Sequence, residues 1–424
     1  MGGGEIMLVT WKQNLKHLSK DEYLLLREMC RLSKNVYNES LYNIRQHYFA
    51  EKSFLRYEAN YPIEKLSENY KLLGANLAQQ TMKCVDSAFR SFFALLKLVE
   101  KRQYSRDAVR IPHYLPKNGL YPLHLPESFM KEDGTMLIPM SPLMKKRTDI
   151  RIKLNFPPQI RDKKIHQIHI VPKQGGKWFE AMYLFDIEDI EKIDLDQTKA
   201  LAIDLGINNF ATCATSDGYA FIIDGKKIKS QNQWYNRYRA RLSSIKDRQK
   251  IKGDTKLMSR ITEKRNRQIQ DFIYCSAKYI VNYCVKNRIG NAVIGYNDGF
   301  QDRVNLGEIN NQKFVMIPYG KFKDRLKFLC ERYHINYQEQ EESYTSKASF
   351  LDNDEMPVWN PRNPVQGSFS GRRIKRGLYQ TKHGTLINAD VNGALNILRK
   401  SKLTDLSVLQ CRGEVITPTR IRLS

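Results

Sequence analysis

The sequence predicts a mixed α+β protein of several domains, because three kinds of pattern follow one another along its 424 residues. Residues 18–104 repeat apolar side chains at helical spacing. Residues 105–195 alternate apolar and polar positions in short segments separated by Pro and Gly. From residue 196 onward, strands and helices follow one another. With 41% hydrophobic residues, the chain can bury several cores.

The first two patterns predict a helical domain and a small β domain. Apolar residues recur every three to five positions over 21–49 and again over 76–100, which predicts two long helices. The segments 149–154, 164–171 and 178–185 predict strands. Together with a strand near the amino terminus they predict a β-barrel formed by residues 1–17 and 105–195. His166 and His169, three apart on a strand, point to opposite faces and do not suggest a metal pair.

The third pattern predicts an RNase H-like fold, a central sheet flanked by helices. Residues 199–215 give a buried strand, a turn at Gly206 and a second strand, and 219–225 give a third. A basic helical stretch, the strand 291–297, a helix over 321–333 and the strand 335–342 follow. The expected strand order is 3-2-1-4-5, with the first strand in the centre.

Two aspartates in this region are candidate metal ligands. Asp204 lies inside an apolar strand, where a charge is expensive to bury unless a cation compensates it. Asp390 opens the helix that ends the fold. Each has a structural alternative: Asp204 in a turn with Gly206 and Asn208, and Asp390 or Asn388 as a helix cap. With a third carboxylate, the pair would hold two Mg²⁺ ions suited to phosphodiester hydrolysis, and Mn²⁺ would be able to substitute.

The charge of the chain favours a polyanionic partner. Lys and Arg number 70 against 45 Asp and Glu, a formal charge of +25. Nucleic acid is the first candidate. No run of eighteen apolar residues and no signal-peptide core is present, so a soluble, intracellular protein without membrane contact is expected. The seven cysteines never form a Cys-x-x-Cys spacing and indicate reduced thiols.

Residues 226–267 concentrate this charge, with fifteen Lys or Arg and three acidic residues. A solvated helical face is the ordinary explanation of such a run. The aromatic residues interleaved with it favour nucleic-acid contact, since they can stack on unpaired bases. The predicted contacts in this segment are Trp234, Tyr235, Arg237, Arg239, Arg241, Lys246, Arg248, Arg265 and Arg267.

The segments AIDLGINNFAT, WYNRYRARLSSIKDR, SYTSKASF and NADVNGALNI together resemble the TnpB family of transposon-encoded RNA-guided DNA nucleases, which is related to the compact type V CRISPR effectors. The resemblance covers the carboxy-terminal half and, more weakly, the amino-terminal half. It implies a RuvC nuclease domain over 196–343 and 385–400, a helical recognition domain over 18–104 and a wedge domain formed by the β-barrel. The insertion 344–384 and a tail, 401–424, complete the chain.

The resemblance also implies roles for individual residues. Asp204 matches the first catalytic aspartate of the family and Asp390 the last. The family's glutamate position at the end of the strand AVIGYNDG is occupied here by Gly295 or Tyr296. We therefore predict that Glu341 or Glu342, on the adjoining strand, supplies the third carboxylate across about 4.8 Å. Asp298 is a further candidate.

The insertion departs from the family as well. Its usual four-cysteine zinc ribbon cannot form, because residues 344–384 contain no cysteine, and zinc is not predicted. Phe350, Trp359, Phe369 and Tyr379 are expected to hold its fold instead, and the basic run including Arg372 and Arg373 is expected to contact nucleic acid.

These observations predict an RNA-guided DNA endonuclease of prokaryotic, cytoplasmic location, associated with the nucleoid when bound to DNA. Its expected partners are a guide RNA with a structured scaffold and a double-stranded DNA target next to a short flanking motif. Two alternatives remain: an RNA-guided DNA-binding regulator that has lost cleavage, and a guide-independent RNase H-like nuclease.

Overall fold

The computed structural model describes residues 7–125, 134–187, 193–296, 317–358, 369–412 and 417–423. The chain divides into two units, Met1–Asp189 and Ile190–Ser424. None of the helices in these described ranges is long and apolar enough to cross a membrane.

Helices form much of the first unit, and their ends follow from local capping. The first helix begins after Ser19, whose hydroxyl accepts a hydrogen bond from the Glu22 amide while the Glu22 carboxylate accepts one from the Ser19 amide. It ends where Lys52 takes a left-handed conformation, with φ 53°. The helices of this unit are α1 (Lys20–Glu51), α2 (Tyr57–Glu64), α3 (Glu68–Leu73), α4 (Ala75–Glu100) and α5 (Pro142–Arg147).

The strands of the first unit form an antiparallel four-stranded sheet of order β1-β6-β5-β2 and a separate ribbon of β3 and β4. Within the described residues this sheet is open, whereas the sequence predicted a closed barrel. In these residues β2 pairs with β5 and β1 pairs with β6, so the predicted closure is not confirmed. The strands are β1 (Met7–Asn14), β2 (Leu123–Leu125), β3 (Thr135–Leu137), β4 (Lys153–Asn155), β5 (Ile165–Lys173) and β6 (Trp178–Ile187).

One core joins the helices and the sheet of this unit, although the sequence assigned them to separate domains. Leu26 and Met29 of α1 lie in the same buried cluster as Phe179 and Tyr183 of β6. His166 and His169 have different partners, Asp186 and Gln167.

The second unit contains a six-stranded sheet of order β11-β10-β7-β8-β9-β15. When β7 to β11 are numbered 1 to 5 in chain order, they lie side by side in the sheet as 3-2-1-4-5. This is the order that the sequence predicted, with β7 in the centre. β8 is antiparallel to β7 and β9, while β10 and β11 run parallel to β7. The strands are β7 (Asp196–Leu205), β8 (Asn209–Thr215), β9 (Ala220–Asp224), β10 (Ile289–Tyr296) and β11 (Asn336–Glu341).

Helices cover both faces of this sheet. Leu201 and Ile203 of β7 pack with apolar residues of α7 and α8, whereas Ala200 and Ala202 pack with α9 on the other face. The small alanines allow α9 to approach the sheet closely. The helices are α6 (Lys226–Arg248), α7 (Lys256–Lys286), α8 (Tyr319–Arg332), α9 (Ala389–Ser401) and α10 (Ser407–Arg412).

The insertion folds onto α9 through a three-stranded sheet of β12 (Arg372–Lys375), β13 (Leu378–Gln380) and β14 (Leu386–Asn388). Phe350 and Tyr379 are fully buried there. Phe369 lies against the Tyr344 ring, and Trp359 lies outside the described residues.

The last residues belong to the same unit. The strand β15 (Thr419–Ile421) adds to the edge of the sheet beside β9, parallel to it. Leu406 and Leu409 are buried in the core under α9. The segment predicted as a tail is therefore part of this fold, because its apolar side chains find partners on the sheet and on α9.

Candidate active site

Asp204 lies near the end of the central strand and faces α9. It continues the alternation of Ala200 and Ala202, which point to that helix. A Cβ built on Gly393 of α9 would lie 2.9 Å from the Asp204 Oδ2 atom, so the glycine allows the helix backbone to pass directly over the carboxylate. The turn after β7 is closed by the backbone, with the Gly206 amide donating to the Phe210 carbonyl at 3.2 Å.

Asp390 is the second residue of α9, and its carboxylate is not the helix cap. Asn388 caps the helix, since its side-chain oxygen accepts from the backbone amides of Asp390 at 3.0 Å and Val391 at 3.2 Å. The Asp390 carboxylate accepts instead from Asn209 Nδ2 at 2.5 Å and from Arg373 Nη2 at 3.0 Å. Its side chain is 27% exposed, which leaves it accessible to a ligand.

The strand register distinguishes Glu342 from Glu341. Ile294 pairs with Ile203, so the next residues, Gly295 and Asp204, share the α9 face of the sheet. Gly295 also pairs with Gln340, which places Glu342, two residues further on, on that face. A Cβ built on Gly295 would overlap the Glu342 Oε2 atom. The carboxylate of Glu342 therefore fills the space above this glycine.

Glu341 has other partners. Its carboxylate accepts from the Lys400 Nζ atom and, at 2.7 Å, from the Ser343 amide. Burial would raise the pKa of Glu341, but the hydrogen bonds from Lys400 and Ser343 outweigh it and lower that pKa. Of the two glutamates predicted as the third carboxylate, Glu342 is thus the one beside Asp204. Asp298 lies outside the described residues.

The pKa values of these carboxyls show that their charges interact. Burial, then Glu342 and Asp390, raise the pKa of Asp204 well above its usual range, and Arg373 opposes the shift. Burial and the charge of Glu341 raise the pKa of Glu342 to about 7, against the lowering effect of Lys323 and Lys400. Burial is the larger cause of both shifts and the neighbouring carboxylates add to it, so a bound cation would stabilise the charged forms.

Oxygen donors on one face, with glycines leaving space beside them, fit hard divalent cations such as Mg²⁺. In the described ranges no three Asp, Glu, His or Cys side chains converge closely enough to hold a single ion. A two-ion site does not need that convergence, because each ion takes only one or two protein carboxylates and completes its shell with water and substrate oxygens. Asp204, Glu342 and Asp390 fit the second arrangement.

Arg373, predicted as a nucleic-acid contact, lies at these carboxylates. It projects from β12 and donates to Asp390 while remaining 48% exposed at its side chain. Its neighbour Arg372 is exposed. The insertion that carries Arg373 is fixed to α9 by Asn392 and Asn396, whose side-chain amides donate to the Ala348 carbonyl at 2.8 Å and 2.7 Å. The insertion therefore places a cation at the site.

The basic segment forms the hairpin of α6 and α7, and it divides into exposed and packed residues. Trp234 is 49% exposed and stacks on Tyr238, with ring centroids 5.2 Å apart. The exposed cations among the predicted contacts are Arg237, Arg241, Arg248 and Arg267. Arg267 is ion-paired with Glu263 at 3.0 Å, and the partly exposed Lys246 lies 3.3 Å from Asp247.

Three predicted contacts of this segment have partners within the hairpin. Tyr235 is buried, and its hydroxyl lies 3.0 Å from Thr262 Oγ1 across the hairpin. Arg239 is ion-paired with Asp254 at 3.1 Å, and Arg265 donates to Asn232 at 2.8 Å beneath the Tyr235 ring. Their side chains hold the two helices together, and burial leaves little of the Tyr235 ring exposed to a nucleic acid.

Sequence reasoning did not single out several residues of the site. Asn209 binds Asp390, Gly393 gives space to Asp204, and Lys400 binds Glu341. A sequence signal was available for two of them. Gly393 and Lys400 lie three and ten residues after Asp390, on the same face of a helix.

Two family models match the chain. One is described as a probable transposase of the OrfB_IS605 type and matches residues 184–301, which include Asp204. The other is described as a Cas12f1-like TNB domain and matches residues 319–397, which include Glu342, Arg373 and Asp390.

A curated protein and a solved structure are also similar to the chain. The TnpB-like protein ORF457 of Acidianus two-tailed virus is 22% identical over 410 residues, which cover 89% of this chain and 83% of that protein. The structure of a Cas12f1 protein in complex with sgRNA and target DNA is 16% identical, with a TM-score of 0.56, and the similarity covers 89% of this chain and 83% of that one.

Proposed function

Because the chain belongs to the TnpB family, related to the compact type V CRISPR effectors, we propose that it is an RNA-guided DNA endonuclease. Its second unit would be a RuvC-type nuclease domain of the RNase H-like class, with Asp204, Glu342 and Asp390 as catalytic carboxylates. The strand order of the sheet and the placement of Asp204 on its central strand support this proposal.

The observation that carries the proposal is the position of Glu342. The strand β10 contains no glutamate, and Glu342, the residue that follows β11, lies over Gly295 beside Asp204. A surface glutamate without a function would extend into water, since exposure is the usual state of this residue. Here the side chain is directed into a space where burial and neighbouring charges raise its pKa.

Two Mg²⁺ ions, when bound, supply the activated water and the stabilisation of the leaving oxygen that phosphodiester hydrolysis requires. Asp204, Glu342 and Asp390 would hold these ions. Asn209 orients the Asp390 carboxylate. Arg373, half-exposed beside Asp390, would pair with a phosphate oxygen of the entering strand.

The partners follow from the family and from the charge of the surface. A guide RNA with a structured scaffold and a double-stranded DNA target are the proposed ligands, with target choice made by base pairing. The exposed face of α6, with the Trp234–Tyr238 pair and neighbouring arginines, would contact a nucleic-acid strand. The first unit would read the flanking motif and hold the RNA, as recognition and wedge domains.

The test is cleavage of a target plasmid in Mg²⁺ by protein carrying its cognate RNA. Wild type is expected to cut, and Asp204→Ala, Glu342→Ala and Asp390→Ala are expected to lose cutting while still binding RNA. Glu341→Ala is expected to reduce cutting less than Glu342→Ala. Equal activity of the Glu342→Ala variant and the wild type would remove the third carboxylate from the proposal.

The same experiment separates the two rival functions. If RNA copurifies and target DNA is bound without being cut, the protein is a guided DNA-binding regulator. If DNA is cut equally with and without RNA, the protein is a guide-independent nuclease. Each result would overturn the proposed function.

A further inference from the structure

One stripe of α9 contacts every part of the carboxylate site. Its members, at spacings of three, four and three residues, are Asp390, Gly393, Ile397 and Lys400. Gly393 lies at Asp204, and the Ile397 Cδ1 atom lies 2.7 Å from a Cβ built on Gly295. Lys400 is the remaining member. It lies at the end of the stripe furthest from Asp390.

Lys400 binds the residues on both sides of Glu342. Its side chain is only 10% exposed, and its Nζ atom donates to the Glu341 carboxylate and, at 3.1 Å, to the Ser343 carbonyl. The Ser343 amide in turn donates to Glu341 Oε1 at 2.7 Å. One ammonium group thus closes a small ring of contacts around the residue between Glu341 and Ser343.

We call these contacts of Lys400 with Glu341 and Ser343 the clamp. It affects the orientation of Glu342, because Glu342 follows the last residue of the edge strand β11. The Glu342 amide donates to the Tyr296 carbonyl at 3.1 Å, and among the described residues this is the last bond between the two strands. Glu341 and Glu342 are adjacent carboxylates whose side chains point to opposite faces. A rotation of this strand end by one residue would exchange them and place the wrong glutamate beside Asp204.

We propose that Lys400 is a positioning residue that fixes this strand end so that Glu342, and not Glu341, presents its carboxylate beside Asp204. The inference rests on the proposed function, since it concerns the third carboxylate of that site. The cation donates to Glu341 and Ser343, and its charge also lowers the pKa of Glu342. It holds the turn from outside and touches no reacting group.

The test compares Mn²⁺ binding, followed by electron paramagnetic resonance on the full-length chain, with DNA cleavage. Lys400→Met removes the ammonium and keeps most of the stem, and we expect it to weaken Mn²⁺ binding by about tenfold, as loss of an outer hydrogen-bond partner does at metal sites. Lys400→Arg keeps the charge and the donors, and is expected to restore most of the binding. Lys327→Met is the matched control, because Lys327 is 60% exposed and lies 4.0 Å from Glu331, remote in sequence from the clamp.

Binding and cleavage by Lys400→Met equal to those of Lys327→Met would overturn the positioning role. Thermal melting shows whether each variant is folded. If Lys400→Met does not fold, Glu341→Leu is used in its place, because it removes the carboxylate that Lys400 binds, and it is expected to weaken Mn²⁺ binding by a similar factor. Asp204→Asn and Glu342→Gln separate the two proposals. If these two variants bind Mn²⁺ as wild type does, the proposed function fails. If they lose binding while Lys400→Met keeps it, only the role of Lys400 fails.

Discussion

Replacing Gly295 by alanine tests whether the Glu342 carboxylate works from its observed position. The added methyl would overlap Glu342 Oε2 and lie 2.7 Å from Ile397 Cδ1. An ordinary contact is about 3.5 Å, so the carboxylate has to move by about 1 Å. Because a displacement of about 1 Å in a reacting geometry costs on the order of 100-fold in rate, we expect Gly295→Ala to lower single-turnover cleavage by about that factor.

Packing effects of the same substitution have to be separated from the displacement of the carboxylate. Overfilling a well-packed core costs about 1–3 kcal/mol, so a lower melting temperature is also expected. Combining Gly295→Ala with Ile397→Val relieves the apolar contact and is expected to recover stability but not cleavage. Gly320→Ala is the matched control, because a Cβ there meets nothing within 4 Å. Cleavage by Gly295→Ala within twofold of this control would refute the assigned position of Glu342.

Further predictions concern α9, the first unit and the basic hairpin. Asn388→Ala removes the helix cap and is expected to cost about 1 kcal/mol of stability, measured by thermal melting, with cleavage retained. Asp390→Ala is expected to abolish cleavage with little change in melting temperature. Equal effects of the two variants on stability and cleavage would contradict their separate roles. Glu64 is 2% exposed, and burial followed by the charge of Glu39 raises its pKa to about 8. Because the folded state then holds a proton that the unfolded state has released, stability is expected to fall by about 1.4 kcal/mol per pH unit from roughly pH 4.5 to pH 8. Melting temperatures of wild type and Glu64→Gln, measured across this pH range, check the predicted fall in stability. If the two proteins show parallel curves of melting temperature against pH, Glu64 is not its cause. Trp234→Ala is expected to weaken binding of a fluorescent single-stranded oligonucleotide by about 1–3 kcal/mol for each base that loses its stacking partner, with an unchanged melting temperature. Tyr235→Phe, which loses only the buried hydroxyl, is expected to leave that binding unchanged, and a larger loss than for Trp234→Ala would reverse the assignment.

The sequence patterns identify site residues whose role is visible from their immediate neighbours in the chain. An aspartate inside an apolar strand and another at the start of a helix are visible as patterns, because burial and helix position follow from neighbouring residues. The strand order of the second unit was predictable for another reason: the succession of strands and helices along the chain is that of an RNase H-like fold. The predicted barrel is not confirmed in the described residues, because closure depends on how far each strand extends and which edges meet.

Packing between distant segments decided the rest. Tyr235 and Arg265 look like surface residues of a basic helix, and only the pairing of α6 with α7 turns them inward. Arg373 reaches Asp390 because β12 belongs to a small sheet that ends at α9. No local pattern encodes either contact, since each depends on an element remote in the chain.

The sequence by itself determined that this protein is strongly basic, that its carboxy-terminal half alternates strands and helices, and that Asp204 and Asp390 are carboxylates in apolar surroundings. Only the tertiary structure placed Glu342, and not Glu341, beside Asp204. Neighbouring residues of a strand point to opposite faces, and the pairing of β11 with β10, two segments distant in the chain, sets which glutamate faces Asp204.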